Sequence, residues 1–272
     1  MSEKARDLTL FQGFARTIAI RKMQGVQNSA LKSRLQHSWW RPDTPPQMSW
    51  AWPRALLCRV ATHLLALLLC VGTAVSVDQV RLQQAARALG PAAVEGLTAW
   101  QGMFRSASQS PEKIRIETVN RFINQRIRFA DDVNVWGEAD YWATPLETLH
   151  KGAGDCEDFA IAKYFSLLAL GVAPSRLRLI YVRATVIRDG VPGYAAHMVL
   201  AYYPQQGREP LVLDNLVDSI HPASGRPDLR PIFSFNTEGL WEQIGTTAAS
   251  VPLDRLSRWR DLLQRVSNEG FR

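Results

Sequence analysis

Twenty-one residues, Lys151 to Gly171 (KGAGDCEDFAIAKYFSLLALG), constrain the chain more than any other stretch. Phe159, Ala162, Tyr164, Phe165, Leu168 and Ala169 recur at helical spacing, which predicts a helix buried along much of its length. Gly152, Ala153 and Gly154 form a flexible lead-in, and Asp155 or its neighbour can cap the first turn. Leu170 and Gly171 close the helix, and Pro174 prevents its continuation. Cys156 then sits in the first turn, where unpaired amides and the helix macrodipole favour the thiolate, the form that attacks carbonyls. A lone cysteine more often fills a gap in a core. Here Asp155, Glu157 and Asp158 surround it, and carboxylates are expensive to bury as packing.

The first quarter of the 272 residues reads as a leader rather than as fold. Val60 to Val77 carries no charge, Leu64 to Val71 is densely apolar behind Arg54 and Arg59, and Ala74, Val75 and Ser76 suit cleavage after Ser76. Met48 is the cleaner start of such a signal, so residues 1–47 are expected to be an upstream extension and residues 48–76 a signal peptide. A retained anchor is the alternative, since an uncharged run of this length just spans a bilayer. Ten Lys and Arg stand against three Asp and Glu before Val77, and twenty-two of each follow, so the whole net charge of +7 lies in the leader. A nucleic-acid partner for residues 77–272 thereby loses its support. Cys58 and Cys70 also lie in the leader, which leaves an exported domain with the single thiol of Cys156 and no internal disulfide.

Beyond the leader, Val80 to Phe104 reads as one helix or as a helical pair broken near Gly90 and Pro91, and Glu112 to Arg128 as an amphipathic helix. Asp131 to Leu149 reads as a loop anchored by Trp136, Tyr141 and Trp142, with a short helix signalled by Thr144, Pro145 and Glu147. Period-two patterns follow at Leu177 to Ile187, His197 to Tyr203 and Pro210 to Asn215. Pro204 to Gly207 reads as a four-residue hairpin loop, which pairs Tyr203 with Arg208 and puts His197 directly opposite Asp214. Asp218 to Trp241 reads as irregular, and Leu253 to Val266 as a closing amphipathic helix. The expected class is α+β, with a helical N-terminal layer packed on an antiparallel sheet.

Cys156, His197 and Asp214 supply the three groups that thiol catalysis needs: a nucleophile, an imidazole to hold and move the proton, and a carboxylate to orient that imidazole. His63 lies in the leader, and His150 and His221 lie in loops, so they are weaker candidates. Asp155, Glu157 and Asp158 also suit a hard cation such as calcium, although not at EF-hand spacing. Zinc lacks a cysteine or histidine pair at ligand spacing.

GDCEDFAIAKYFSLLALGV, AHMVLAYY, PLVLDNL, IHPASGRPDL and FSFNTEGLW, preceded by WGEADYWATPLETLHKGAGD, resemble the bacterial transglutaminase-like cysteine proteinases of the LapG type over about residues 115–241. The resemblance implies a papain-like or transglutaminase-like fold and a periplasmic, calcium-dependent endoprotease. Such an enzyme cuts a large surface adhesin near its N-terminus, at a paired-alanine site, and so disperses biofilm. It further implies a partner, an inner-membrane cyclic-di-GMP receptor whose periplasmic domain sequesters the protease. The family's catalytic residues fall on Cys156, His197 and Asp214, and its calcium ligands on Asp155 and Glu157, with Asp158 a further candidate. A transglutaminase passing the acyl group to an amine, or a binding module with a vestigial triad, are the alternatives.

Overall fold

A computed structural model describes residues 76–188, 191–205, 207–242 and 257–272. The chain divides into two compact units, Met1–Val71 and Gly72–Arg272, and every described residue belongs to the second. The expectations for the leader therefore lie outside the described residues. Among those residues no helix is long and apolar enough to cross a membrane.

Asp78 starts α1 (Gln79–Leu89) by accepting hydrogen bonds from the amides of Val80 and Arg81. Gly90, at φ 115°, ends it, and Pro91 occupies the first turn of α2 (Pro91–Ala107), so the helical pair breaks where expected. The next helix, α3 (Glu112–Arg126), stops two residues short of the predicted end. Arg128 and Phe129 are drawn instead into β1 (Arg128–Phe129), which runs parallel to β2 (Ala153–Gly154). Between them lie α4 (Asp132–Val135) and α5 (Pro145–Lys151). Helix α5 opens on a capping box in which Thr144 and Glu147 satisfy each other's amides, as the sequence signals. Helix α6 (Cys156–Ala169) follows and is buried nearly throughout.

The rest of the chain is mainly sheet: β3 (Leu177–Arg188), β4 (Val191–Tyr202), β5 (Leu211–Leu213), β6 (His221–Pro222), β7 (Leu229–Phe235) and β8 (Leu240–Glu242). They form one antiparallel sheet in the order β6-β5-β4-β3-β7-β8. Helix α7 (Ser257–Glu269) closes the chain, and the N-terminal part of the helix expected from Leu253 lies outside the described residues. The expected α+β class and helix-on-sheet layering hold.

Two expectations for the strands are corrected. The stretch 218–241 is not irregular: it contains β6, β7 and β8, and β7 pairs with the long strand β3. Pro231 hides this strand from a reading by pattern, yet it falls beside the register shift between Tyr181 and Val182, where a ladder tolerates a missing N–H. Strand β4 also begins six residues before His197, through Pro192 and Gly193. Strand β5 does not extend alongside that part, so Pro192 need not donate to a second neighbour.

The sheet packs on α6 through Met198, Leu200, Tyr202 and Leu213, while Val199, Ala201 and Val212 form a smaller cluster with Ile180 and Val182 on the other face. Trp100 and Trp259 anchor the larger core, with indole N–H groups bonded to Ser166 Oγ at 2.7 Å and the Asn236 carbonyl at 3.2 Å. Phe235 joins the two halves, stacking on Trp142 and meeting Trp259 edge-on. Ahead of α1, Ser76 exchanges two 2.9 Å backbone hydrogen bonds with Arg272 beyond α7.

Glu269, at the end of α7, accepts a 2.7 Å hydrogen bond from Thr144 Oγ1, while its Oε2 is buried without a partner. Burial raises its pKa to about 7, with Glu147 adding to the rise and Thr144 and Arg265 opposing it. The folded value lies above the unfolded one of about 4.3. Its stabilising contribution is therefore present at acid pH and is lost as pH rises through about 7. Glu269→Gln is expected to be more stable than the wild type by about 3 kcal/mol at pH 8, and by only about 1 kcal/mol at pH 5. Urea unfolding at both values measures this, and equal stability at pH 8 would contradict it.

Candidate active site

The start of α6 is held from two sides. Ala130 donates to the Gly154 carbonyl at 2.9 Å through the β1–β2 pairing, and Asp155 Oδ1 accepts from the Glu157 amide at 3.1 Å. Cys156 is half-buried, and its thiol donates to Glu157 Oε2 at 2.7 Å. The Met198 amide donates to its sulfur, which puts the thiol at the margin of β4, one residue from His197. The expected thiolate is not what this environment favours. Burial pushes the thiol pKa well above the ordinary range, Glu157 and Asp155 add to that, and the Met198 amide offsets it in part. Burial, with the adjacent carboxylates, outweighs the helix N-terminus here.

His197 is buried, and its Nε2 lies 2.8 Å from Asp214 Oδ1. The pairing arises by a different register from the one read in the sequence. Eight residues, Tyr203 to Pro210, link β4 to β5, and the ladder runs Tyr202↔Leu211, Ala201↔Val212, Leu200↔Leu213. Arg176 causes the difference. Its guanidinium holds the Tyr203 and Pro204 carbonyls and its own carbonyl accepts from Tyr203 N–H, which pulls Tyr203 out of the hairpin. The register moves by two residues, so His197 and Asp214 keep to one face and meet diagonally rather than directly opposite.

Asp214 is gripped at both carboxylate oxygens and at its main-chain carbonyl. Oδ1 also accepts from the Leu216 amide at 3.0 Å, and Oδ2 accepts from Arg226 Nη2 at 2.8 Å. Its main-chain carbonyl accepts from Lys163 Nζ and Asn124 Nδ2, both at 2.9 Å. Burial alone would raise its pKa, but His197, Leu216 and Arg226 overcome it and hold the carboxyl far below the usual range. An ionised Asp214 only accepts, so the proton of a neutral His197 sits on Nε2 and Nδ1 is left as the basic nitrogen. Lys163 is fully buried, and burial lowers its pKa to about 7 against the pull of Asp214 and Asp218.

Carboxylate oxygens gather beside the thiol. Ligand atoms of Asp155, Cys156 and Glu157 lie within 4.8 Å of one another, as do those of Asp132, Asp155 and Asp158. Asp158 Oδ1 accepts from the Ala143 amide at 2.9 Å, and its Oδ2 is buried without a hydrogen-bond partner. A Cβ at position 154 would stand 2.4 Å from that oxygen, so the cluster requires Gly154. Burial pushes the Asp158 pKa well up, and Asp155, Asp132 and Glu157 add to it. Converging buried acidic oxygens, with Asp158 Oδ2 among them lacking a hydrogen-bond partner, fit a hard divalent ion such as calcium.

Asp155, Cys156 and Glu157 thus come together, as do His197 and Asp214, while no hydrogen bond joins Cys156 to His197. Asp132, Arg226, Lys163 and Asn124 were not singled out from the sequence. Asp132 lay within a loop already notable for its carboxylates, and Arg226 lay in the stretch read as irregular.

Residues 99–244 match the family of bacterial transglutaminase-like cysteine proteinases, BTLCP. Among solved structures, Legionella pneumophila LapG is 39% identical, covers 68% of this chain and 95% of its own, and superposes with a TM-score of 0.57. Its calcium-bound form is likewise 39% identical, covers 68% of this chain and 97% of its own, and gives 0.59. No curated protein matches the chain. The chain therefore belongs to the bacterial transglutaminase-like cysteine proteinases.

Proposed function

We propose that the protein is a periplasmic, calcium-dependent endoprotease in which Cys156, His197 and Asp214 act as a triad, cutting the N-terminal region of a large surface adhesin and so governing attachment and dispersal of biofilm. The observation that carries the catalytic part is the buried His197–Asp214 pair beside a sulfur that accepts from the Met198 amide. Cys156 sulfur attacks the scissile carbonyl carbon as its proton passes to His197 Nδ1. The tetrahedral oxyanion gains an amide donor at the start of α6, that of Cys156 itself. His197 returns the proton to the departing amine, the C–N bond breaks and a thioester remains. Water, deprotonated by His197, then releases the new carboxylate and the free thiol. Asp214 keeps the imidazole in the required tautomer throughout.

Asp132, Asp155, Glu157 and Asp158 would hold calcium, which would offset the repulsion among their converging oxygens and fix the turn carrying the thiol. The calcium-bound form of the Legionella protein supports this assignment. The sequence resemblance supports the adhesin substrate and the cyclic-di-GMP receptor as partner, and the signal-like leader supports export.

Mass spectrometry of the N-terminal segment of the cell's largest surface adhesin, incubated with the protein, calcium and a labelled primary amine, tests the reading. One internal cut ending in a free carboxylate is expected. Incorporation of the amine would make the protein a transglutaminase, and an intact, unmodified segment would overturn the proteolytic assignment.

A further inference from the structure

Arg226 lies outside the thiol, the imidazole and the acidic cluster, yet it is bonded to the one carboxylate that touches His197. Its side chain is 5% exposed and that of Asp214 is fully buried. Arg226 Nη2 donates to Asp214 Oδ2 at 2.8 Å and to Asp228 Oδ2 at 2.7 Å, and Nε donates to Asp228 Oδ1 at 3.0 Å. Four groups thus follow one another from the interior outward: His197, Asp214, Arg226 and Asp228, the last 39% exposed, and they alternate in sign once the imidazole takes up its proton. Nη1 is buried without a hydrogen-bond partner, which is costly for a group that served only to tie down a turn.

We propose that Arg226 and Asp228 are positioning residues for the reaction: the guanidinium shares the charge of Asp214 with His197, and Asp228 shares the charge of the guanidinium. Together they set how strongly Asp214 holds the imidazolium. This rests on His197 being the acid and base of the reaction. An imidazolium paired with a lone buried carboxylate is held tightly and gives up its proton poorly. A guanidinium on the other oxygen weakens that hold, and Asp228 keeps it from weakening too far. The ionisable groups on the elements packed against β4 are Cys156, Glu157, Asp158, Lys163 and Tyr164 from α6, Arg178, Tyr181, Arg183 and Arg188 from β3, and Asp214, Asp218, His221, Arg226 and Asp228 from β5 and the chain after it. Of these only Asp214 is hydrogen-bonded to the ring.

The two variants carry opposite signs. In Arg226→Met the positive charge facing the imidazolium is gone, and the His197 pKa is expected to rise by about one unit. In Asp228→Asn the guanidinium loses its outer partner, and the His197 pKa is expected to fall by about half a unit, less because Asp228 is partly in water. A merely structural Arg226 predicts the reverse for the first variant, since a loosened Asp214 would let the histidine relax downward. NMR titration of ¹³C-histidine-labelled, calcium-loaded protein reads this directly, with the His197 signal among the five histidines assigned by its loss in His197→Ala. The alkaline limb of the pH–rate profile should move with it. No change or a fall in Arg226→Met overturns the inference, as does no change or a rise in Asp228→Asn, which decides alone if the arginine variant does not fold. The NMR readout needs no substrate, so retained cleavage by Cys156→Ala would remove the protease reading without touching these shifts, and unmoved shifts would remove the inference alone.

Discussion

Cys156→Ala is expected to lower cleavage of the adhesin segment by about 10⁴-fold or more while leaving the fold in place. The size of the loss follows from the chemistry: without sulfur there is no thioester, and water must attack the peptide directly. What remains is binding and the amide at the helix start, both of which survive the substitution. Stability should change little. Only one heavy atom is lost from a residue that is itself partly exposed, and alanine is the better helix former. The removed thiol also takes away a donor to Glu157, which retains its place beside Asp155. Cleavage assays beside thermal unfolding separate the effects, and binding of the uncut adhesin segment should be retained. Cleavage within tenfold of the wild type would exclude Cys156 as nucleophile, whereas lost cleavage with retained binding excludes a mere binding module.

The sequence discloses local structure well and long-range placement poorly, and the reason is visible residue by residue. The limits of α6, its cap at Asp155 and the capping box at Thr144 and Glu147 depend on neighbours within four positions, which any pattern reading reaches. The face shared by His197 and Asp214 also survives, because a strand's period of two tolerates an error of two in register. The register itself depends on Arg176, twenty-seven residues before Tyr203, and no hairpin rule includes it. The same holds for Asp132, which reaches the acidic cluster only because β1 pairs with β2 and turns the chain back over the start of α6. Arg226 reaches Asp214 because β6 pairs with β5. The thiolate expectation failed for a different reason. It weighed the helix end and neither the burial of the sulfur, which only the packed fold reveals, nor the two carboxylates flanking it.

Removal of calcium is expected to abolish cleavage and to lower the melting temperature, and one substitution should separate its two roles. Ligand oxygens of Asp132, Asp155 and Asp158 converge within 4.8 Å, and two unit charges at that distance repel by about 3 kcal/mol at an effective dielectric of 20. Nothing basic among the described residues is bonded to Asp158, so a bound cation is the natural relief. Excess EGTA should therefore destabilise the protein, by about 3 kcal/mol relative to calcium at a hundred times its dissociation constant. Magnesium should not restore activity, because it demands a tighter octahedron and sheds water reluctantly. Asp158→Asn crosses the two conditions. It removes a ligand charge, so the variant should gain less from calcium than the wild type. It also removes a buried repulsion, so in EGTA it should melt above the wild type. Melting curves of both proteins in calcium and in EGTA give four temperatures. If the variant melts below the wild type in EGTA, charge repulsion does not govern the metal-free cluster. Full cleavage by the EGTA-treated wild type would remove calcium from the mechanism altogether.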